Sequence, residues 1–556
     1  MFPNSRQRTH ILARVVIDRR PRQVVPARRP ATVAPVFTMR PPFPIPDVEW
    51  MLTGQFLSRF FSILIFVFWA AAGHASQTGL QGSIERILAE EGLAGVAWSL
   101  VDENGDVQLG SAGLRDNELQ AAFTVDTTFH VGSLTKSLLA TGVLRLVTTG
   151  FIELDAPVRR YLPLLPFDNP WAGESEVTVR HLLDHTSGLD DARLWQMFSE
   201  RPGPDSLLVD AFPNPQKLLR IRVRPGTRLS YSNMGYTLLG MIIESVTEGR
   251  YEAYVDRQVL APLGMRDSTF SYTAQEGAHA TPALAWGHVD DGSRIAASPV
   301  FLRPAAQMTT SARDLARFAS FLMSDGRIDG RTWIDSGLMK ARGRPSGTEA
   351  ANGGLEAGYA LGLGRRDRHG VVGYCHGGNI VGFVAMLCIF PHEGKAFAYS
   401  VNSDSETANY GRIDQSLIEA LEINAASPPQ TAGPDAGIEQ WRGRYILSPN
   451  RFQTFSYLDT VFGAIGIVDR AGSLALTSLQ QDARLLRPVG GLLFSAGDRA
   501  TQSHVFLRNS SGEYLLSDGF RTYRKVATAY LAAHWASVGL GLAGFAWLFF
   551  AGLLAL

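Results

Sequence analysis

A serine and a lysine lie three residues apart in the stretch FHVGSLTKSLLA, residues 129–140, where the pattern predicts the first turn of a helix. Positions i and i+3 share one helix face, so the amine of Lys136 is expected beside the hydroxyl of Ser133. A serine becomes a good nucleophile when a neighbouring base removes its proton, and burial can lower the pKa of a lysine amine enough for that role. The spacing therefore indicates nucleophilic catalysis at Ser133.

The amino-acid usage of the chain makes Lys136 more informative than its spacing alone. The sequence contains five lysines and 47 arginines, and only Lys136 has a serine three residues before it. Arginine cannot be deprotonated in proteins, so a lysine beside a serine favours a role in proton transfer. The alternative is a chance Ser-x-x-Lys, with Ser133 capping the helix and Lys136 solvated.

A second polar group, Tyr231-Ser232-Asn233, directly precedes a predicted buried helix that ends near Gly249. A phenol acts as a base only where cations favour its phenolate, and Lys136 is one such cation. Tyr231 and Asn233 are therefore candidates for proton transfer and substrate binding. Taken alone, the three residues also fit a simple turn before the helix.

A third group lies between two predicted strands, in Tyr374-Cys375-His376-Gly377-Gly378-Asn379-Ile380-Val381-Gly382-Phe383. Glycines at this point let the backbone pass close to a ligand. The backbone N–H near Asn379, together with that of Ser133, is expected to form an oxyanion hole. The alternative is an ordinary glycine-rich hairpin turn.

These groups resemble the penicillin-recognising serine hydrolases, most closely the class C β-lactamase-like branch with its D,D-carboxypeptidases, D-aminopeptidases and esterases. The resemblance covers about residues 80–425 and extends to three further segments. The motifs that carry it are Ser133-Leu134-Thr135-Lys136, Tyr231-Ser232-Asn233, His376-Gly377-Gly378, HLLDHTSGL (181–189), YSNMGYTLLGMIIE (231–244) and PLGM (262–265).

The resemblance implies a role for each site residue. Ser133 forms the acyl-enzyme, Lys136 and Tyr231 share proton transfer, and which of the two is the base stays open. Asn233 holds the substrate amide. His376 takes a place usually held by lysine and, where neutral, weakens the pull on a β-lactam carboxylate, so antibiotic hydrolysis is not the expected main activity.

A second departure from the family lies before a helix capped by Ser311. Relatives often have a Gly-Gly pair where this chain reads Ala305-Ala306-Gln307-Met308, which is expected to alter the pocket edge.

The elements that must position these residues alternate between helices and strands. A helix from Ser83 leads to two strands joined through Asn104-Gly105, a strong hairpin signal. The helix from Ser133 is expected to run to Thr149-Gly150, and Ser311 with Asp314 has capping-box spacing. The predicted fold is α+β: an antiparallel sheet flanked by helices with a helical subdomain, as in β-lactamases and D,D-peptidases.

Two residue pairs invite metal or disulfide hypotheses. His181 and His185 lie at i and i+4, but without a distant third ligand they predict a packed, hydrogen-bonded helix end and no metal site. Cys375 and Cys388 are the only cysteines. A hairpin centred near Val381 would let them face each other, although free, buried thiols are the expectation.

The sequence also predicts the segments on either side of the hydrolase domain. Residues 1–50 are expected to form an Arg/Pro-rich disordered extension, interpreted as an over-extended reading frame, and residues 51–75 a signal peptide or, alternatively, an uncleaved anchor. The hydrolase domain occupies 80–425, a linker 426–437, a small β domain resembling a lipocalin-like appendage 438–526, and a transmembrane helix 529–556. The β domain shows no catalytic arrangement.

Composition narrows the function classes. The formal net charge is +0, which gives no electrostatic footprint for a nucleic-acid partner. The sequence predicts an exported, membrane-anchored serine hydrolase without a cofactor, acting outside the cytoplasm on a peptide, amide or ester of the D-amino-acid or β-lactam-like class. The alternative is a non-hydrolytic penicillin-binding sensor or cell-envelope binding protein. The positive charges of Arg521, Arg524 and Lys525, directly before the last helix, leave the orientation of that helix open. The natural substrate and the oligomeric state are also open.

Overall fold

The computed structural model describes residues 79–426, 429, 438–470, 472–497 and 499–555. The predicted N-terminal extension (1–50) and signal peptide (51–75) lie outside the described residues, as does most of the predicted linker.

The first domain is built on an eight-stranded antiparallel sheet with the strand order β10-β11-β12-β13-β14-β1-β2-β3. Three two-stranded sheets, β4-β7, β5-β6 and β8-β9, accompany it. The strands of this domain are β1 Gly95–Val101, β2 Val107–Asp116, β3 Ala121–Ala122, β4 Phe129–His130, β5 Gly287–His288, β6 Arg294–Ile295, β7 Thr309–Thr310, β8 Arg327–Ile328, β9 Arg331–Thr332, β10 Gly358–Ala360, β11 Leu363–Arg368, β12 Val371–Ile380, β13 Phe383–Phe390 and β14 Lys395–Val401.

Helices cover both faces of the sheet and form a separate helical region beside it. Residues 79–91 form helix α1. The others in this domain are α2 Thr135–Thr148, α3 Val179–Leu183, α4 Leu194–Phe198, α5 Pro215–Leu218, α6 Asn233–Thr247, α7 Tyr251–Val255, α8 Ala312–Met323, α9 Ser336–Ala341, α10 Glu349–Asn352 and α11 Gly411–Ala420.

Alternation along the central strand divides the core into two layers. In β1, Val96 and Trp98 pack in a cluster with residues of α1 and α11. Ala97 and Val101, which point to the opposite face, pack in a larger cluster with α2, α6 and α8. The predicted α+β fold, an antiparallel sheet flanked by helices, is confirmed.

The local predictions around the site also agree with the structure. The hairpin turn between β1 and β2 contains Asn104-Gly105, and α6 begins at Asn233. The side chain of Ser311 accepts a hydrogen bond from the Asp314 N–H and caps α8. Helix α2 follows a 3₁₀ turn over Gly132–Leu134.

The expectation that the two cysteines remain free thiols is wrong. Cys375 and Cys388 form a disulfide with a Cα–Cα distance of 4.1 Å. The reason is strand register, because β12 and β13 pair so that the two residues lie directly opposite each other. The turn between these strands falls at Val381, where the sequence predicted it.

The second domain is a closed eight-stranded barrel. Its elements are β15 Gly443–Leu447, α12 Ser456–Phe462, β16 Ile465–Arg470, β17 Ser473–Ser478, β18 Arg484–Gly490, β19 Leu493–Ala496, β20 His504–Arg508, β21 Tyr514–Ser517 and β22 Thr522–Val526. Ion pairs and hydrogen bonds hold it against the first domain. Arg228 pairs with Glu513 of the barrel at 3.0 Å, and the carboxylate of Asp367 accepts the Thr501 N–H at 2.6 Å.

The described chain ends in helix α13, Thr528–Ala555. Its 27 residues Thr528–Leu554 are long and apolar enough to cross a membrane by length and composition. Near its start the helix contacts α12, where the rings of Phe462 and Trp535 lie 5.4 Å apart.

Candidate active site

The serine lies in the 3₁₀ turn that opens α2 and is pressed against strand β12. Gly132 takes φ +50°, and a Cβ added there would lie 2.6 Å from the carbonyl carbon of Asn379. A Cβ on Gly378 would lie 1.8 Å from the Val131 oxygen. Both glycines are therefore required for the close approach that brings β12 beside Ser133.

Lys136 lies beneath Ser133 on the first turn of α2 and is fully buried. Its Nζ is 2.9 Å from Ser133 Oγ, 2.7 Å from Asn233 Oδ1 and 2.9 Å from the Ala305 carbonyl oxygen. Asn233 Oδ1 and the Ala305 oxygen can only accept hydrogen bonds, whereas the serine hydroxyl can also donate. A neutral amine therefore fits all three partners, donating to the two oxygens and accepting from Ser133.

Burial shifts the pKa values of the two candidate bases in opposite directions. The pKa of Lys136 is lowered well below its usual value, chiefly by burial, with the charge of Asp191 opposing and that of Arg451 adding to the effect. Burial raises the pKa of Tyr231, and its hydrogen bond with Ser133 opposes that rise. The site therefore favours a neutral amine and a protonated phenol.

Asn233 is held by a buried carboxylate. Asp191 is fully buried, and its Oδ1 accepts both the backbone N–H and the side-chain Nδ2 of Asn233 at 2.8 Å. Its Oδ2 pairs with Nε of Arg451 at 2.7 Å. Because Nδ2 of Asn233 points to a carboxylate, Oδ1 is turned towards Lys136.

His376 is buried and neutral at physiological pH. Burial and the neighbouring Lys136 lower the pKa of His376 to about 3. Its Nδ1 is 2.7 Å from the Gly377 carbonyl oxygen, which must accept, so Nδ1 carries the proton. Nε2 then accepts from the Tyr359 hydroxyl at 3.0 Å. This side chain brings no positive charge to the pocket.

The backbone N–H of Asn379 points away from β13, towards the side on which the turn before α2 lies. The Cα–Cα distance of 4.1 Å between Cys375 and Cys388 marks a closely spaced pair without ladder hydrogen bonds. Pairs alternate along β12 and β13, so Asn379, four residues on, belongs to the same type and its N–H points away from β13. The pairing of β11 with β12 stops at Cys375. The outer edge near Asn379 is occupied by Gly132, whose added Cβ would lie 2.7 Å from the Asn379 nitrogen.

These residues line one cavity of about 890 Å³. The predicted site residues on its wall are Ser133, Tyr231, Asn233, His376, Gly377, Gly378 and Asn379. Lys136 lies behind them, bonded to Ser133. The structure thus brings together every residue that the sequence singled out for the site, although they come from stretches about 100 and 240 residues apart.

The segment that departs from the family pattern also reaches this cavity. Ala306 and Gln307 line it, and the Ala305 carbonyl oxygen accepts from Lys136. Gln307 is buried, its Oε1 accepts from the Val300 N–H, and its Nε2 has no hydrogen-bond partner among the described residues. This segment therefore contributes Gln307, a residue with a buried amide group, to the cavity wall.

The two histidines of HLLDHTSGL are packed and hydrogen bonded, as predicted. His181 Nδ1 accepts from the Thr178 N–H and completes a capping box at α3. His185 Nδ1 accepts from the Ser232 N–H, and its ring stacks 4.2 Å from that of Tyr231. His185 therefore packs against the ring of Tyr231. In the part of the chain that the structure describes, no group of three or more His, Cys, Asp or Glu side chains could hold a metal ion.

Sequence reasoning missed three residues that shape the site. Asp191 fixes Asn233, Tyr359 holds His376, and Arg451 reaches the cavity from the barrel. Asp191 lies two residues after the motif HLLDHTSGL (181–189), so its position beside a motif was a usable signal. Nothing in the local sequence marks Tyr359 or Arg451, because only tertiary packing brings them to the pocket.

The sequence of this chain is similar to those of known proteins. A family model described as Beta-lactamase matches residues 80–422. Esterase EstB of Burkholderia gladioli is 34% identical over 200 residues, 34% of this chain and 50% of the esterase, so the match spans half of that relative's length.

Solved structures show the same fold. The octameric penicillin-binding protein homologue from Pyrococcus abyssi superposes with a TM-score of 0.52 at 22% identity, covering 81% of this chain and 99% of its own. The D-amino acid amidase from Ochrobactrum anthropi SV3 gives a TM-score of 0.50 at 25% identity, covering 63% of this chain and 98% of its own.

Proposed function

This chain belongs to the beta-lactamase family of serine hydrolases, and we propose that it forms an acyl-enzyme on Ser133 and then passes the acyl group to water. The observation that carries the proposal is the 2.9 Å contact between Ser133 Oγ and the buried Nζ of Lys136 at the wall of a cavity. A hydroxyl beside a buried amine is the arrangement that activates a serine nucleophile.

Lys136 is the general base of this proposal. Its neutral amine accepts the Ser133 proton as Oγ attacks the carbonyl carbon of an ester or amide. The hydrogen bonds to Asn233 Oδ1 and the Ala305 oxygen hold the amine in place and stabilise the ammonium that forms. The lowered pKa of Lys136, caused by burial, supports this choice over Tyr231.

Tyr231 acts as the proton carrier towards the leaving group. Its raised pKa, caused by burial, keeps the phenol protonated, and the hydroxyl is hydrogen bonded to Ser133. The phenol gives its proton to the departing oxygen or nitrogen, and the Lys136 ammonium, whose Nζ lies 4.9 Å from the centroid of the tyrosine ring, returns to the phenolate the proton that it took from Ser133. Water then repeats the sequence in reverse and releases the acid.

The oxyanion of each tetrahedral intermediate is held by two backbone N–H groups. That of Ser133 lies in the first turn of a helix, where N–H groups lack intrahelical acceptors. That of Asn379 points to the same place from β12. Each such donor is typically worth ~3 kcal/mol of transition-state stabilisation.

In this proposal, polar side chains around Ser133 bind the substrate. Asn233, on the cavity wall, is placed to hold a substrate carbonyl or amide group. The neutral His376 favours an ester or peptide amide over a β-lactam antibiotic. The esterase and D-amino acid amidase among the relatives support a small ester or a D-amino-acid amide or peptide as the substrate class.

Export and membrane anchoring belong to the same proposal. Helix α13 supplies a candidate anchor by length and composition. The Cys375–Cys388 disulfide supports an oxidising compartment outside the cytoplasm, where such bonds persist. The catalytic domain and barrel would then act beside the membrane surface.

The test is to follow labelling and turnover together in the purified full-length protein. A fluorescent fluorophosphonate should label the wild type and not Ser133→Ala, and the wild type should hydrolyse a small aryl ester repeatedly. Labelling that persists equally in Ser133→Ala would overturn the mechanism. Stable labelling by a fluorescent penicillin without turnover of any ester would favour a penicillin-binding sensor instead.

A further inference from the structure

Two short helices near the active site expose large apolar side chains. Neighbouring exposed apolar groups mark a surface that contacts another molecule or a membrane. Helix α4 borders the cavity, and Phe198 both lines it and is 64% exposed, so this residue lies where the cavity opens. The exposed residues, which we name the apolar rim, are Leu194, Trp195 and Phe198 of α4, Phe455 directly before α12, and Tyr457, Leu458 and Phe462 of α12.

The two helices of the apolar rim meet through the barrel loop that docks on the first domain. Arg193, directly before α4, donates to Thr454 Oγ1 at 3.2 Å, and Thr454 directly precedes Phe455. The neighbouring Gln453 N–H donates to Asp190 Oδ1 at 2.9 Å. The beginnings of α4 and α12 therefore lie close together, and the apolar rim extends from the cavity to the barrel.

Helix α12 also packs against the candidate transmembrane helix α13. The Tyr457 hydroxyl donates to the His534 carbonyl oxygen at 3.3 Å and contacts the Ser537 hydroxyl. The rings of Phe462 and Trp535 lie 5.4 Å apart. These contacts hold α12 at one level of α13, beside residues 534–537.

That level is where α13 is expected to enter the bilayer. Residues 536–555 contain no charged side chain. At ~1.5 Å per residue they extend roughly 30 Å, which equals the thickness of a hydrocarbon core. Tyr530 and Trp535 lie just before this stretch, and both residue types are concentrated at membrane interfaces. The headgroup layer should therefore lie at the level of His534, which is also the level of α12.

The exposed side of α12 has the chemistry that this layer favours. Aromatic rings with a polar tip, such as that of Tyr457, suit the boundary between headgroups and acyl chains. Leu458 adds an aliphatic group on the exposed side, whereas Val461 is buried against the protein. The charged residue of this helix, Asp459, accepts a hydrogen bond from Asn450 Nδ2 at 2.9 Å. Continuity with α13 thus identifies lipid as the molecule that covers the apolar rim.

We propose that the apolar rim rests in the interface of the bilayer that α13 spans and holds the cavity at the membrane surface. This inference rests on the proposed membrane anchor and goes beyond it, because α13 attaches the chain while the rim orients both domains. Esters or amides with a long acyl chain dissolve in the bilayer. They then reach Ser133 past Phe198 without crossing bulk water.

Spin labelling of the full-length chain in phosphatidylcholine vesicles tests the lipid contact. The two native cysteines are joined in a disulfide, so an introduced cysteine supplies the only thiol. Nitroxides on Leu458→Cys and on Phe198→Cys should collide more often with oxygen, which concentrates in lipid, than with a water-soluble nickel chelate. Power-saturation electron paramagnetic resonance measures both collision rates.

The matched control is Phe151→Cys. Phe151 is 61% exposed and follows the far end of α2, roughly 20 Å along that helix from Ser133. A nitroxide at this position should collide mainly with the nickel chelate. The comparison with Phe198→Cys therefore separates lipid contact from exposure alone.

A kinetic measurement tests the consequence for substrates. The vesicle-bound protein is given a long-chain aryl ester dissolved in the bilayer and, separately, a short-chain ester dissolved in water. Leu458→Asp removes one leucine from the lipid boundary, so the ratio of long-chain to short-chain hydrolysis should fall by about tenfold. The short-chain rate should stay unchanged, and Phe151→Asp should alter neither rate.

The outcomes separate this inference from the proposed function. Nitroxides on both rim positions that collide with the nickel chelate as often as the one on Phe151→Cys overturn the lipid contact and leave the anchor intact. Nitroxides shielded from both reagents and broadened by a neighbouring label identify a second copy of the chain on this surface and also overturn the contact.

Two further results distinguish the other parts. A hydrolysis ratio that Leu458→Asp leaves unchanged overturns the route from the bilayer to Ser133. A full-length chain that does not bind vesicles overturns the anchor and the apolar rim together. Spin labels that report lipid in a protein that takes no fluorophosphonate support the apolar rim and overturn the serine hydrolase alone.

Discussion

At the scale of single residues, the proton of Ser133 has two neighbours that could take it, and their surroundings differ. Lys136 is fully buried and meets two acceptor oxygens besides the serine. Tyr231 stacks on His185 and lies under Arg451. Burial penalises the charged form of each, which favours a neutral amine on Lys136 and a protonated phenol on Tyr231, the states that their proposed roles as base and acid require.

Replacing Lys136 by arginine tests whether the amine exchanges a proton. Lys136→Arg keeps the positive charge but cannot be deprotonated, so kcat/KM for an aryl ester should fall by about 10²–10⁴-fold. Steady-state hydrolysis assays measure the change, and Lys340→Arg, on the exposed end of α9, is the matched control. Activity retained by Lys136→Arg would show that Lys136 acts only through its positive charge and does not exchange a proton.

The pH dependence of acylation tests whether Lys136 is the base, because neighbouring charges shift the pKa of its amine. Only the neutral amine accepts the proton, so the rate should rise with pH through the lowered pKa of Lys136. The charge of Asp191 raises that pKa by stabilising the ammonium. Asp191→Asn should therefore shift the acid limb of log kcat/KM to lower pH.

The control for this shift is Asp106→Asn, in the exposed turn between β1 and β2, which should leave the limb in place. Since Asp191 also orients Asn233, the overall rate is expected to fall as well. The quantity to compare is therefore the midpoint pH of the acid limb. A midpoint that moves to higher pH in Asp191→Asn would contradict the assignment of Lys136 as the base.

The sequence could predict which candidate residues lie together at the cavity but not the charged groups that surround them. Ser133 and Lys136 share a local helix turn, and Tyr231 and Asn233 share a short stretch, so spacing alone brings each pair together. Asp191 and Arg451 meet only because the barrel loop docks on the first domain. No periodicity of the chain encodes that long-range contact.

At the scale of elements, the proposed oxyanion hole depends on how closely β12 lies against the turn before α2. Gly378 lets the strand approach Val131, and Gly132 lets the turn approach Asn379. The predicted glycine-rich hairpin therefore has a second function, since its glycines set the distance between two backbone donors. The sequence indicated the hairpin, whereas the direction of the Asn379 N–H follows only from the strand register.

Adding one methyl group to this contact should disable the site. In Gly378→Ala the new Cβ would meet the Val131 oxygen at 1.8 Å, so strand or turn must shift and the two N–H donors separate. We expect kcat to fall by about 10²–10³-fold, the cost of losing one oxyanion donor. Hydrolysis kinetics alongside thermal unfolding separate this effect from a loss of folding.

Gly173→Ala is the matched control, because this exposed glycine has nothing within 4 Å of an added Cβ. It should leave kcat unchanged. A Gly378→Ala enzyme of normal activity would show that the Asn379 N–H is not an oxyanion donor.

Strand register also explains the wrong expectation for the cysteines. The sequence placed Cys375 and Cys388 on either side of Val381, but a shift of one residue would have turned them to opposite faces. The observed pairing sets them opposite each other on the face that packs with α1 and α11. Turn composition predicted the hairpin, and only the complete ladder determined its register.

At the scale of the whole molecule, the chain contains an α+β domain, a barrel and a long apolar helix, and both Ser133 of the first domain and Arg451 of the barrel line the candidate active-site cavity. Composition and periodicity predicted the three kinds of structure in order. They assigned the barrel no catalytic arrangement, yet its loop supplies an arginine to the cavity wall. Docking between domains depends on surface complementarity, which a single sequence does not display.

Removing the last helix tests membrane anchoring. A chain that stops after Ala527 lacks α13 but keeps both domains, so it should be recovered in the soluble fraction and still hydrolyse an aryl ester. The full-length chain should sediment with membranes and resist extraction by high salt. Equal solubility of both forms would contradict the anchor without affecting the hydrolase.

The central claim is tested most directly by identifying the atom that carries the acyl group. The full-length protein is mixed with an aryl ester, quenched in acid within milliseconds to seconds, digested and analysed by mass spectrometry. We expect one acyl adduct, on Ser133, that forms and decays at rates matching turnover and is absent from Ser133→Ala. An adduct on another residue, or turnover that continues in Ser133→Ala, would contradict it.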